Sequence, residues 1–299
     1  MSKKIILLTI ALGLGFTLLQ ELIRTTGELE LHVLDVGQGD GILLQTAEGH
    51  NILIDGGPDS KILESLGEVL SPFDRTLDLV VMTHPDADHV TGLVPVLQRF
   101  EVDHVLMSAP AHNTDVYKAF LKEVTELEIP YTFASAATDF QFGELHLDVL
   151  WPFEAVTGQT VKSGNNVAVV MRASSGENSI LLTADVEEEV EEVLLEAGVF
   201  LEADILKAGH HGSHTSSTPE FLEAVGAELM IISSGTGNDY GHPHEETLAK
   251  AEDLGMEVLR TDLEGTVSLI FSTLHFVPRV YWLRSILAPR LRSFSSRPS

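Results

Sequence analysis

From about Leu29 onward, apolar positions fall in short runs separated by turn residues, and strand-like and helix-like periods alternate along the chain. Leu31-His32-Val33-Leu34-Asp35-Val36 reads as a strand and Gly37 to Gly41 as a turn. Residues 42–45 and 51–54 read as a hairpin pair closed by Asp55-Gly56-Gly57. Residues 60–70 carry a helical pattern. Residues 77–82 form a short apolar run of the kind found in buried strands, which stops at Thr83-His84-Pro85. A helix is expected from near Asp88 or His89 to Phe100. The second half repeats this grammar. Strands are expected at 145–150, 167–172 and 179–183, then an acidic helix at 186–197 and a strand at 203–208. A helix at 218–225, a strand at 228–233, a helix at 244–254 and strands at 257–260 and 266–271 follow. Each half places strands first and mixed elements after, and no Ser/Gly/Pro linker separates them. The pattern predicts an α/β (α+β) sheet sandwich with helices outside, one domain over residues 27–275.

The two ends differ from this body. Lys3 and Lys4 precede an apolar run from Ile5 to Leu19, which fits a signal-peptide core better than a full span. No small-x-small cleavage site follows, so residues 1–26 read as an uncleaved signal anchor. A cleaved signal peptide and a buried helix are the alternatives. The lysines would keep the N-terminus inside and place the rest of the chain outside the cytoplasm, membrane-anchored or secreted. Residues 276–299 hold aromatics, leucines and arginines without acids. Such a tail could lie on a membrane surface or be disordered.

Composition narrows the chemistry. Hydrophobic residues at 44% suffice for a sizeable core. The absence of cysteine excludes disulfides, thiolate metal sites and cysteine nucleophiles, so a metal would need His, Asp and Glu. The net charge is −27, and residues 27–275 alone hold 44 acids against 10 Lys and Arg. An acidic surface repels nucleic acid at long range and is also a plain means of solubility.

The strongest chemical signal is Thr83-His84-Pro85-Asp86-Ala87-Asp88-His89. A polar turn with a capping Asp would account for any one of these residues. Four donors within six positions at the end of an apolar strand point to metal binding. Imidazole nitrogen and carboxylate oxygen are donors that a catalytic Zn²⁺ or Mn²⁺ takes, and a turn of this length can aim the first pair at one ion and the second at another.

The motif resembles the H-x-H-x-D-H signature of the metallo-β-lactamase superfamily, with Asp86 in place of the second His. The variant is similar to the soluble metallo-β-lactamase-like domain of ComEC-type competence proteins. Further segments carry the resemblance across about residues 29–271: Leu34-Asp35-Val36-Gly37-Gln38-Gly39-Asp40-Gly41, Leu53-Ile54-Asp55-Gly56-Gly57, Gly164-Asn165-Asn166, Leu181-Leu182-Thr183-Ala184-Asp185, Lys207-Ala208-Gly209-His210-His211-Gly212-Ser213, Asn238-Asp239-Tyr240-Gly241-His242-Pro243 and Thr261-Asp262-Leu263-Glu264-Gly265. Ala184 stands where that family has Gly.

The resemblance implies a four-layer αββα sandwich and a hydrolase with two divalent ions, Zn²⁺ or Mn²⁺. It implies that His84 and Asp86 hold one ion, that Asp88, His89 and one of His210 or His211 hold the other, and that Asp185 bridges them. Asn165 stands where the superfamily usually supplies another His, so the ion of His84 and Asp86 would be held weakly. An oxygen-rich ligand set shifts preference from Zn²⁺ toward Mn²⁺ or Mg²⁺. Asp55-Gly56-Gly57 makes a plain turn or Asp55 supports the ligands from behind; Asp35 and Asp40 are turn-formers, or the glycines between them approach substrate phosphate; and Ser213, Ser216 and Ser217 read as helix caps before Pro219. His242 would contact substrate, donate a proton (a role open also to His210 and His211) or serve a structural role; catalysis would rest on Asp88 and His242.

The function implied is a phosphodiesterase or nuclease acting on DNA during uptake, with a separate membrane channel protein as partner and the membrane reached through the N-terminal segment. Hydrolysis of a small ester, lactone or phosphodiester on the same fold is the first alternative. A non-catalytic metal-binding module at the membrane is the second.

Overall fold

The computed structural model describes residues 28–272 and the backbone of 275–278. The expected anchor at 1–26 and the basic tail beyond 278 lie outside the described residues. Among the described residues no helix is long and apolar enough to cross a membrane.

The strands run in order β1 (Leu29–Val33), β2 (Ile42–Gln45), β3 (Asn51–Ile54), β4 (Thr76–Leu77), β5 (Leu79–Met82), β6 (Glu101–Val102), β7 (Val105–Met107), β8 (Tyr131–Phe133) and β9 (Asp139–Phe142). They continue with β10 (Leu145–Trp151), β11 (Val170–Ser175), β12 (Asn178–Leu182), β13 (Ile205–Lys207), β14 (Leu229–Ile232), β15 (Glu257–Arg260), β16 (Val267–Ser272) and β17 (His275–Pro278). The helices are α1 (Lys61–Val69), α2 (Ala87–Val90), α3 (Leu93–Leu97), α4 (Asp115–Glu126), α5 (Glu188–Glu196), α6 (Pro219–Val225), α7 (Glu245–Asp253) and α8 (Thr261–Glu264).

One sheet has the order β17-β16-β1-β2-β3-β5-β7-β8 and the other β15-β14-β13-β12-β11-β10-β9. Strand alternation sorts the apolar residues into three layers. Ile42, Leu44, Ile52, Ile54, Leu79 and Val81 point toward Leu147, Met171, Ile180, Leu182, Ile205 and Ile231 of the other sheet. Their neighbours Leu43, Leu53, Val80 and Met82 face outward onto Ile62, Leu66, Leu93, Val96 and Phe120 of α1, α3 and α4. On the far side, Leu181, Leu206, Met230 and Ile232 pack on Val190, Leu194, Phe221, Leu222 and Ala251 of α5, α6 and α7. The result is the expected αββα sandwich.

Within each sheet the strands that lead to the candidate residues are parallel: β3 with β5, and β12 with β13 and β14. Their carboxyl ends therefore open to the same side, where loops leave the sheets and side chains converge. Three expectations need adjustment. The helix expected to run to Phe100 is broken at Thr91-Gly92 into α2 and α3. The strand expected from 167 begins at Val170, because Asn165–Val167 form a turn of 3₁₀ helix. The boundary drawn at 275 falls inside β17, which pairs with β16.

Candidate metal centre

The loop after β5 presents four of the candidates. Pro85 cannot extend the strand hydrogen-bonding, and Asp86 has extended backbone at the head of α2, leaving Asp88 and His89 in its first turn. At the break after α2 the backbone stays helical, but Gly92 N donates to Gly57 O at 3.0 Å rather than within the helix. A Cβ on Gly92 would collide with the carbonyl oxygen of Gly56, and Gly56 N donates to His89 O at 2.8 Å. The Asp55-Gly56-Gly57 turn thus packs backbone to backbone against the α2–α3 junction, an approach that only glycine permits.

Across the cleft, Thr183 Oγ1 donates to Lys207 O at 2.8 Å and Ala184 takes a left-handed conformation (φ 46°), which turns Asp185 out of the line of β12. His210 and His211 are both left-handed as well (φ 46° and 54°), inside the Gly209–Gly212 turn. Consecutive non-glycine residues in that region are strained, and such strain is held in place by surrounding contacts, commonly at functional sites.

These turns bring Asp88, His89, Asp185 and His211 together, with ligand-capable atoms all within 4.8 Å of one another. Asp185 Oδ2 lies 3.2 Å from both His89 Nε2 and His211 Nε2, and Asp88 Oδ2 lies 3.4 Å from His211 Nε2. His84 stacks beside His89 at 4.1 Å between ring centroids, and Asp86 Oδ2 is 3.9 Å from His84 Nε2. His210 stands further off: its Nε2 is 4.0 Å from Asp185 and 3.5 Å from the side-chain amide of Asn165. Gly164 abuts Asp86, so the Gly164-Asn165 turn spans from Asp86 to His210. Of the two adjacent histidines, the geometry thus puts His211 in the four-residue cluster and His210 on the Asn165 side.

Hydrogen bonds fix which ring nitrogen each histidine presents. Thr83 Oγ1 donates its only proton to Asp55 Oδ2 at 2.6 Å, so His84 Nδ1, 3.0 Å away, donates to Thr83 and leaves Nε2 a bare lone pair. His89 Nδ1 donates to Asp55 Oδ2 at 2.8 Å, and His211 Nδ1 donates to the carbonyl of Ser233 at 3.0 Å. Three Nε2 atoms, of His84, His89 and His211, together with Asp185 Oδ1, are buried without a hydrogen-bond partner. Buried polar atoms in native proteins are normally satisfied. A group of them made of imidazole nitrogens and a carboxylate oxygen is the donor set of a divalent ion.

The electrostatics agree. Burial works against charge on His89 and His211, yet Asp185 with Asp55 in one case, and Asp185 with Asp40 in the other, hold both imidazoles well above their usual pKa. Burial pushes Asp88 up, but the imidazoles of His211, 3.4 Å away, and His89 bring it down to about 2. The cluster therefore draws positive charge. His84 behaves oppositely: burial and the neighbouring His89 lower it to about 3. Burial and the charge of Asp88 raise Asp86.

His242 lies over this floor, its ring 5.4 Å from that of His210 and 6.2 Å from that of His211. Its backbone is clamped by Asn238, whose Oδ1 accepts from His242 N at 3.0 Å and whose Nδ2 donates to His242 O at 2.6 Å. Burial and the imidazoles of His211, His210 and His244 hold its pKa down to about 4, so the ring is uncharged at neutral pH. The serines do not cap α6: Thr218 does, accepting from Phe221 N, while Ser216 donates to Val186 O and Ser213 lies against Thr215. Sequence reasoning overlooked Lys207 and Thr83. A lysine among Ile205 and Leu206 in a buried strand was the available sign of the first.

A family model described as the metallo-beta-lactamase superfamily matches residues 34–235, a stretch that holds every candidate ligand and stops short of His242. ComE operon protein 3 of Bacillus subtilis is 30% identical over 259 residues, covering 81% of this chain and 33% of that protein. Competence protein ComA of Neisseria gonorrhoeae is 29% identical over 250 residues, covering 80% of this chain and 32% of that protein. The chain thus spans about a third of the length of these relatives. Among solved structures, the metallo-beta-lactamase fold protein YhfI of Bacillus subtilis superposes with a TM-score of 0.54 at 14% identity, covering 82% of this chain and 100% of that one. The sandwich, the His/Asp cluster suited to a divalent ion and these matches agree, and the chain belongs to the metallo-β-lactamase superfamily as a hydrolase similar to the corresponding part of competence proteins.

Proposed function

We propose that the protein is a metal-dependent phosphodiesterase that cleaves DNA, with two divalent ions in the cleft between the two sheets. The observation that carries this reading is the convergence of the buried Nε2 atoms of His84, His89 and His211, none of them hydrogen-bonded, with Asp185 Oδ1. Similarity to a competence protein points to DNA as the substrate. His84 and Asp86 would hold one ion, Asp88, His89 and His211 the other, and Asp185 would lie between them.

A bound divalent ion would supply Lewis-acid polarisation of a phosphoryl oxygen. The protein's own residues prepare for this. Asp55 orients His89, Thr83 orients His84, and the Ser233 carbonyl orients His211. His242, clamped by Asn238 and uncharged, offers a ring N–H to a substrate oxygen beside His210. No serine of the Ser213–Ser217 segment is needed as nucleophile.

The net charge of −27 opposes long-range capture of a polyanion. Divalent ions held at the cleft would offset this, and a separate membrane channel protein would deliver the strand. In this account the N-terminal segment tethers the chain to the membrane with its hydrolase domain outside the cytoplasm. The acidic surface itself favours a second reading, hydrolysis of an uncharged or cationic ester at the same site.

The test is cleavage of single- and double-stranded DNA by the purified protein with Mn²⁺ or Zn²⁺, with Asp88→Ala as control. Metal-dependent cleavage lost in Asp88→Ala is the expected result. Hydrolysis of a small ester with none of DNA would replace the first reading by the second.

A further inference from the structure

Lys207 ends β13 between Leu206 and Ala208 and is 1% exposed. Its ammonium forms an ion pair with Asp40, itself 1% exposed, and contacts Ala184 O at 3.4 Å. Desolvating both charges is expensive, and an apolar pair of similar volume commonly serves stability as well or better. A buried pair of this kind calls for a reason other than holding the fold.

The other carboxylate oxygen of Asp40 supplies one. Oδ1 lies 3.3 Å from Nδ1 of His211, on the side of the ring opposite Nε2, which faces Asp185 and Asp88. An aspartate also stands beside Nδ1 at Asp55 and His89, where it accepts the ring N–H; His211 gives its N–H to Ser233 O, so Asp40 acts on that ring by charge and contact, with Nε2 turned to the cluster in both. The two aspartates are tied to each other's turns, since Gly57 N donates to Asp40 O at 2.8 Å. They differ in what fixes them. Asp55 is gripped by Thr83 N and Oγ1, both from the first sheet. Asp40 also belongs to the first sheet, in the turn between β1 and β2, but Lys207 and His211 belong to the second. Ser233 joins the same seam, donating from Oγ to Gly39 O at 2.7 Å while its carbonyl accepts from His211. The Lys207–Asp40 pair therefore fixes His211 relative to ligands carried by the opposite sheet.

We propose that Lys207, acting through Asp40, is a positioning residue that aims His211 Nε2 at Asp88 and Asp185 and so sets the metal affinity of that cluster. This rests on the reading of the cluster as a metal centre. Orienting partners of metal-bound histidines typically change affinity about 10–100-fold when removed.

The experiment is a Co²⁺ titration of the full-length protein, read by visible absorption and by competition with a chromophoric chelator. The variants are Lys207→Met, the double variant Asp40→Asn/Lys207→Met, and Glu191→Gln. Glu191 is also a buried carboxylate, but it accepts from Ser217 N and Thr218 N, away from the cluster. The expected result is Co²⁺ affinity lower by about 10–100-fold and an altered visible spectrum in the two Lys207 variants, with affinity and spectrum unchanged in Glu191→Gln. The double variant leaves no unpaired buried charge and decides the matter if Lys207→Met does not fold. Unchanged affinity and spectrum in the double variant would overturn the proposal, and so would its failure to fold, which would make the pair a folding element. Failure of the unaltered protein to bind Co²⁺ would instead overturn the metal-centre reading itself.

Discussion

His89 Nδ1 donates to Asp55 Oδ2 at 2.8 Å, and this bond joins the turn after β3 to the first turn of α2 at full burial. Replacing Asp55 by Ala would leave His89 Nδ1, Thr83 N and Thr83 Oγ1 without their acceptor. Removing one partner from a buried pair costs about 3–5 kcal/mol. Urea unfolding of metal-free Asp55→Ala is expected to show a loss of that size. A loss within the scatter of ordinary surface substitutions would mean that the Asp55 turn does not organise the site.

Two glycines separate close packing from chain flexibility. Gly92→Ala drives a methyl into the Gly56 carbonyl and should cost about 3 kcal/mol. At Gly67, in α1, a methyl would meet nothing within 4 Å, so Gly67→Ala should stabilise by roughly 0.5–1 kcal/mol. Thermal midpoints moving in opposite directions would bear this out. Equal shifts would contradict the close backbone packing of Gly92 on the Gly56 turn.

Glu191 gives a pH dependence away from the metal cluster. Burial raises its pKa against the opposing hydrogen bonds of the Thr218 and Ser217 amides. A carboxyl raised in the folded state adds stability that is complete below its unfolded value, near 4.3. That stability is lost as pH rises through the folded pKa, because the folded form then binds more protons than the unfolded one. Glu191→Gln cannot titrate. Its stability relative to the unaltered protein should therefore rise as pH increases from about 4. Parallel stability curves in urea would refute the assignment.

The oxygen-rich set of Asp86, Asp88 and Asp185 predicts that Mn²⁺ supports at least as much hydrolysis as Zn²⁺. Initial rates of DNA cleavage at matched metal concentrations measure this. Activity with Zn²⁺ alone would remove the argument from ligand hardness.

Much of the sandwich is legible in the apolar alternation. In β2, Ile42 and Leu44 face the opposite sheet while Leu43 faces the helices, and the same sorting holds in β3 and β5. Residues 101–144 are not readable in this way. Strands β7 and β8 are three residues each, too short to display a period, and half of β9 is exposed. Helix α4 does carry an inward stripe of Tyr117, Phe120 and Val124, but its other positions are polar and it lies between those short strands. The metal-ligand candidates His84, Asp86, Asp88 and His89 announce themselves because they crowd into one short stretch at the end of β5 and the start of α2. The choice between His210 and His211 does not, because it depends on two successive left-handed residues that no local pattern specifies. Lys207 and Asp40 lie 167 positions apart, and only the meeting of the two sheets pairs them.

The central claim is that Asp88, His89, Asp185 and His211 bind a divalent ion. Equilibrium dialysis against Mn²⁺ and Zn²⁺, comparing the unaltered protein with Asp185→Ala, tests it most directly. The account predicts stoichiometric metal in the unaltered protein and loss of tightly held metal in Asp185→Ala, whose carboxylate faces both His89 and His211 at 3.2 Å. Equal metal content in the two proteins, or none in either, would contradict it.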